Sequence, residues 1–128
     1  MKKTVFTSDA PAPLHNLYSQ AISVQGRLIF TAGQLGISPQ TGTLVEGGVQ
    51  AQTQQALENI KAIVKAAGSS MANIVKMTVL LDSIDDFAAM NQVYKRYFTE
   101  SPPARTAFEV ARLPIGALVE IEAIAVVA

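Results

Sequence analysis

The sequence predicts an α+β domain in which two helices pack on one face of a mixed β-sheet, in the order β-β-β-α-β-α-β-β. Three observations carry the prediction. From Val49 to Ala67 the apolar residues Val49, Ala56, Leu57, Ile60, Ile63, Val64 and Ala67 fall on one helical face, and Gly68 supplies a left-handed C-terminal cap. Ile74 to Leu81 (IVKMTVLL) is β-rich and apolar on nearly both faces, as a strand covered on both sides would be. In the last run, 118 to 127, Val119, Ile121, Ala123, Ala125 and Val127 alternate with Leu118, Glu120, Glu122, Ile124 and Val126.

The elements follow in order. Lys2 to Phe6 reads as an opening strand, followed by a Pro-rich loop from Asp9 to Pro13. SQAISV and RLIFTA are strand-like runs separated by Gln25-Gly26, and two residues with glycine second predict a hairpin between them. GQLGISPQTGTLVEGG holds five glycines and a proline and reads as a long loop without an element of its own. After the first helix and the Ile74 to Leu81 strand, Ser83 with Asp86 three residues later forms a helix N-terminus. The second helix buries Phe87, Met90, Tyr94, Tyr97 and Phe98, and Pro102-Pro103 end it. Strands at 106 to 112 and 118 to 127 close the chain, joined through Leu113-Pro114-Ile115-Gly116.

Composition narrows the function. The 128 residues fit one domain, with no linker or repeat to divide it, and such a chain buries roughly two thirds of its unfolded surface. Apolar residues make up 49% and charged residues 16%, with a mean hydropathy of +0.27: too hydrophobic for disorder and lightly charged for a small monomer. Ten basic residues balance ten acidic ones, which leaves no electrostatic footprint for nucleic acid or an anionic membrane. The absence of cysteine removes thiol nucleophiles and thiolate metal sites, and the single histidine, His15, cannot build a multi-histidine metal site. No signal-peptide h-region follows Lys2-Lys3 and no apolar run is long enough to span a bilayer, so the expected location is the cytoplasm.

The last strand also predicts an oligomer. If Val119, Ile121 and Ala123 meet the helices, Glu120, Glu122 and Ile124 face the other way, onto a surface neither polar enough for solvent nor apolar enough for a core. Two helices cannot cover both sides, so another subunit is expected there. The common catalytic motifs are missing. Gly47-Gly48 reads as a flexible helix entry rather than an anion cradle, His15 as a surface or packing residue, and Lys95-Arg96 as solvated charges. Arg105, placed after Pro102-Pro103-Ala104 at the opening of a strand, remains: its planar fork suits a carboxylate ligand, but a salt bridge to Glu120 or Glu122 explains it equally well. Glu122 reads as a structural residue, making a hydrogen bond or ion pair across the subunit interface, with Glu109 and Arg112 on the neighbouring strand as candidate partners.

PARTAFEVARLP (103 to 114) followed by VEIEAIAV (119 to 126), with TAGQLG at 31 to 36, YSQA at 18 to 21 and NQVYKRYF at 91 to 98, resembles the block pattern of the RidA/YjgF/YER057c/UK114 family nearly end to end. The resemblance implies a chorismate-mutase-like fold and a homotrimer whose sheets line a central barrel, with clefts between subunits. It also implies hydrolysis of 2-iminobutanoate or 2-iminopropanoate to the 2-keto acid and ammonia, clearing intermediates of pyridoxal-phosphate dehydratases. Carried over by position, Arg105 pairs with the substrate carboxylate and Glu120 orients the attacking water. Tyr18 closes the cleft, the Gly33 backbone contacts substrate, the carbonyl at Ala107 helps place the water, and Asn91 supports the site by hydrogen bonding. Neither cofactor nor metal is implied, because an imine is already an activated electrophile.

The sequence departs from the family pattern at two places. Asn16-Leu17 precedes Tyr18 where relatives often have Gly-Pro, and Ala107 stands where relatives often have cysteine, which removes a thiol-based role without touching the backbone. Two other readings stand beside the enzyme: a regulatory protein that binds a small carboxylate without turnover, and an interaction protein of translation-inhibitor or holdase type.

Overall fold

A computed structural model describes residues 2–127. Past β1 (Lys2–Val5), the Pro-rich loop and a 3-10 turn at Leu14–Asn16, the chain forms β2 (Ala21–Val24), which pairs antiparallel with β1 as a two-stranded ribbon. Then come β3 (Arg27–Phe30), β4 (Gln34–Leu35), α1 (Gly48–Ala66), β5 (Ile74–Leu81), α2 (Phe87–Tyr94), β6 (Ala104–Glu109) and β7 (Val119–Val127). The main sheet runs β3-β7-β5-β6, with β4 also on β7. β5 and β6 are parallel and every other pair in it is antiparallel. The sheet is therefore mixed, as expected, and α2 is the crossover that a parallel pair requires.

α1 follows the sequence closely. Val49, Ala56, Leu57, Ile60 and Val64 are buried along one face. At its end Gly68 takes φ +88°, its N–H bonds the Lys65 carbonyl at 3.0 Å, and the Ser69 N–H reaches Val64 at 2.8 Å. Those two bonds satisfy carbonyls the helix would otherwise leave open. The inner sheet face, with Met77, Val79 and Leu81 on β5 and Val119, Ile121, Ala123 and Ala125 on β7, meets both helices in one core that includes Leu57, Ile60, Met90 and Tyr94.

Several expectations are corrected. The runs flanking Gln25-Gly26 do not form a hairpin: β2 pairs with β1, and β3 pairs with β7 from Arg27 opposite Val127 to Phe30 opposite Ile124. A two-residue type I′ hairpin needs a positive φ at both central positions, and here Gly26 has it (+136°) but Gln25 does not. Gly26 is instead pressed onto β7, where a Cβ would come within 2.8 Å of Val126 Cγ2. The glycine-rich loop contains a short strand, β4, held by the outer edge of β7. Ser83 Oγ accepts from Asp85 N at 3.2 Å, capping a 3-10 turn at Ile84–Asp86 rather than α2 directly. α2 stops at Tyr94, well before Pro102, and β6 ends at Glu109, before Arg112.

The outer face of the sheet is open. Leu28 and Phe30 on β3 and Phe108 on β6 lie there, in register with Ile124 and Glu120 on β7 and Leu80 on β5. Phe30 is 69% exposed. In a chain of this size, large side chains ordered on one sheet face mark a contact surface.

Candidate active site

Arg105 is the second residue of β6 and stands opposite Met77, so its side chain leaves the sheet on the helix side. α2 meets it there with three residues at positions i, i+4 and i+7. Arg105 Nη1 donates to Asn91 Oδ1 at 2.7 Å, while Cζ lies over the Tyr94 ring at 4.7 Å and 5.7 Å from the centre of Phe87. Burial pulls the guanidinium below the ordinary arginine value, opposed by the Tyr94 and Tyr18 hydroxyls. An arginine nonetheless stays charged in a protein. The charge is thus half-buried against rings and an amide oxygen, a setting in which an arriving carboxylate forms a stronger pair than it would in water.

Tyr18 is brought to the same place by the chain leading into β2. Ser19 makes an isolated parallel bridge to Ala104, its N–H donates to the Pro103 carbonyl at 3.2 Å and its Oγ to the Pro102 carbonyl at 2.6 Å. That pins Tyr18 beside the start of β6. Just before Tyr18, His15 and Asn16 both take left-handed φ, 54° and 55°, and Leu17 buries its side chain. Ala107 follows Arg105 on the same face of β6, opposite Val79, on a strand at the edge of the sheet.

Glu120 is elsewhere. It stands opposite Leu80 on β5 and Leu35 on β4, and its neighbour Ile121 faces the core, so its side chain leaves the sheet on the open side. It runs across Gly33, where an added Cβ would collide with Oε2 and lie 2.9 Å from Cδ. Glycine at 33 is therefore what gives the carboxylate its room. Gly33 and Glu120 share the wall of a depression of about 490 Å³ with Leu35, Ile37 and Asn59. Asn59 ties the segment down by donating to the Leu35 and Ile37 carbonyls at 3.3 and 3.0 Å.

The predicted residues thus fall into two clusters on opposite faces of one sheet: Arg105, Asn91, Tyr18 and Ala107 on the helix side, Glu120 and Gly33 on the open side. A salt bridge from Arg105 to Glu120 or Glu122 within the chain is excluded by that division. The strand that carries Glu109 does not neighbour Glu122 within the chain, contrary to expectation. β6 is not adjacent to β7, Glu122 is exposed opposite Thr78, and Glu109 Oε1 instead accepts from Ile84 N at 2.8 Å. His15 is exposed, and Gly47 and Gly48 take positive φ (115° and 77°) as the helix entry. The sequence reading assigned Phe87 and Tyr94 wholly to the core. Asn91, which the resemblance assigns to the site, stands between them on the same helical face.

Comparison with known proteins identifies the family. Residues 7–127 match the family model described as endoribonuclease L-PSP. A RutC family protein of Pyrococcus horikoshii is 54% identical, covering 98% of each chain. A protein of Bos taurus named 2-iminobutanoate/2-iminopropanoate deaminase is 53% identical over 98% of this chain and 90% of its own. The structure of E. coli TdcF with bound serine superposes with a TM-score of 0.75 at 43% identity, covering 98% of this chain and 99% of the other. With its five sequence blocks in order and that match over nearly its whole length, the chain belongs to the RidA/YjgF family.

Proposed function

We propose that the protein hydrolyses 2-imino acids such as 2-iminobutanoate and 2-iminopropanoate to 2-oxo acids and ammonia, at sites shared between subunits of a homotrimer. The observation that carries this is the separation of Arg105 and Glu120 onto opposite faces of the sheet. A carboxylate anchor and a water-positioning base must lie within one substrate length of each other, so the two clusters work together only when the open face of one copy meets the helix-side edge of another. The exposed Leu28, Phe30 and Phe108 supply the apolar surface for that contact. The deaminase name carried by a relative of 53% identity, and the serine bound to a structural neighbour, support a small α-amino-acid-like substrate.

In this reading Arg105 grips the carboxylate, and Tyr18 covers the ligand. Glu120, helped by the Ala107 carbonyl, orients a water and takes its proton as the oxygen bonds to the imine carbon. That proton goes to nitrogen, the hydroxyl of the tetrahedral intermediate gives up its own proton, which also passes to nitrogen by way of Glu120, the C–N bond breaks, and ammonia leaves as the 2-oxo acid forms. No side chain becomes covalently attached, and neither cofactor nor metal is used. The cytoplasm, where dehydratases release such imines, is the proposed location.

The test generates 2-iminobutanoate with threonine dehydratase in the presence of semicarbazide, whose adduct reports surviving imine. Wild type lowers the adduct signal; Arg105→Ala and Glu120→Ala do not. When the two inactive variants are unfolded together, refolded at equal concentration and assayed, about a quarter of the shared sites regain both wild-type residues, and about a quarter of the wild-type rate returns. No recovery in reassembled mixtures refutes the shared site. Binding of a 2-oxo acid without any ammonia release favours the regulatory reading instead.

A further inference from the structure

We propose that Tyr94, assisted by Phe87, is a positioning residue for Arg105: an aromatic floor that holds the guanidinium in place and leaves its charge unpaired until a carboxylate arrives. The inference rests on the reading of Arg105 as the substrate anchor and adds what fixes that anchor.

Three observations carry it. Cζ of Arg105 sits over the Tyr94 ring at 4.7 Å, inside the range in which a cation is drawn to the negative face of an aromatic ring. Phe87 offers a second ring at 5.7 Å, and Asn91 Oδ1 takes Nη1 at 2.7 Å. The side-chain acceptors that the Arg105 guanidinium meets among the described residues are the Asn91 amide oxygen and the Met90 sulfur, neither of them a carboxylate. A guanidinium taken partly out of water normally meets a carboxylate, and a resident carboxylate would compete with an anionic substrate. Rings attract the cation without neutralising it, so the fork stays available to a planar carboxylate.

The Tyr94 hydroxyl points to the same conclusion. It is fully buried and has no hydrogen-bond partner among the described residues. A buried hydroxyl without a partner is a cost to folding, so nothing in its hydrogen bonding explains a tyrosine here. What the residue contributes to the site is its ring, which stands on α2 at i+3 from Asn91 and i+7 from Phe87, with the Phe98 ring packed against it at a tilt and 4.9 Å between centres.

The experiment measures binding of 2-oxobutanoate, which carries the carboxylate but is not turned over, together with KM and kcat for 2-iminobutanoate. Tyr94→Phe keeps the ring and binds within about twofold of wild type. Tyr94→Leu weakens binding about tenfold and raises KM with a smaller change in kcat. Because position 94 is in the core, a shape-preserving series accompanies it: phenylalanine, monofluoro- and trifluorophenylalanine at 94 drain the ring of negative charge without changing its packing. Affinity is expected to fall stepwise along the series, to about a tenth at the trifluoro ring. A flat series, or Tyr94→Phe as damaging as Tyr94→Leu, overturns the floor while leaving the anchor intact. If Arg105→Ala binds 2-oxobutanoate as wild type does, the anchor itself fails and the floor with it.

Discussion

Gly33→Ala separates activity from stability in a way the geometry makes quantitative. The three atoms nearest a Cβ at this position all belong to Glu120: Oε2, in collision, Cδ at 2.9 Å and Cγ at 3.2 Å. Gly33 does not have a positive φ, so the backbone accepts alanine and the carboxylate is what must move. Restoring Cδ to an ordinary carbon contact of about 3.5–4.0 Å displaces the carboxyl by roughly 1 Å. A misplacement of about 1 Å costs on the order of 10²-fold in rate, so kcat/KM in the semicarbazide-competition assay should fall about 100-fold. Folding responds differently. Alanine stabilises through the unfolded chain by about 0.4–1 kcal/mol, and forcing Glu120 off its rotamer costs about 0.5–1.5 kcal/mol, so the two nearly cancel and Tm moves by only a few degrees. A folded Gly33→Ala with kcat/KM within threefold of wild type refutes the reasoning. Glu120→Gln measured beside it then says whether the carboxylate is dispensable or has found its place again.

Three further outcomes are expected. Asn91→Ala removes the 2.7 Å bond to Arg105 Nη1 and, at about 1.5–3 kcal/mol for a hydrogen bond to a charged group, raises KM for the imine by tenfold or more while circular dichroism stays unchanged. Phe30→Asp places a charge on the open sheet face, where Phe30 is 69% exposed; light scattering should report smaller assemblies, and turnover should fall with them. Thr53→Val removes a fully buried hydroxyl that has no hydrogen-bond partner among the described residues, stabilises the fold by about 1 kcal/mol and raises Tm by about 2–4 °C in thermal unfolding.

What the sequence disclosed and what it hid divide along one line. α1, β5 and β7 were legible because each is specified by its own periodicity: the stripe from Val49 to Val64, the apolar run at 74 to 81, the alternation from Val119 to Val127. The choice of pairing partner was not. Whether β3 folds back on β2 or crosses to β7 depends on Gly26 touching Val126, a contact spanning a hundred residues of chain, and β4 exists only because β7 has a free edge to receive it. The site obeys the same division. The outward side of Glu120 was readable from β7 alone. The inward side of Arg105 was not, because it depends on the parallel register that sets Arg105 against Met77, and a register is a property of two strands. Phe87 and Tyr94 read as part of a core stripe for the same reason: helical spacing shows that two side chains share a face, but the cation that gives that face its chemistry comes from β6. A residue that must point out and a residue that must point in cannot meet across their own sheet, so the chemistry proposed for this chain depends on assembly. Variants that break the open-face contact should lose turnover in step with their loss of assembly, even with every residue of the site in place.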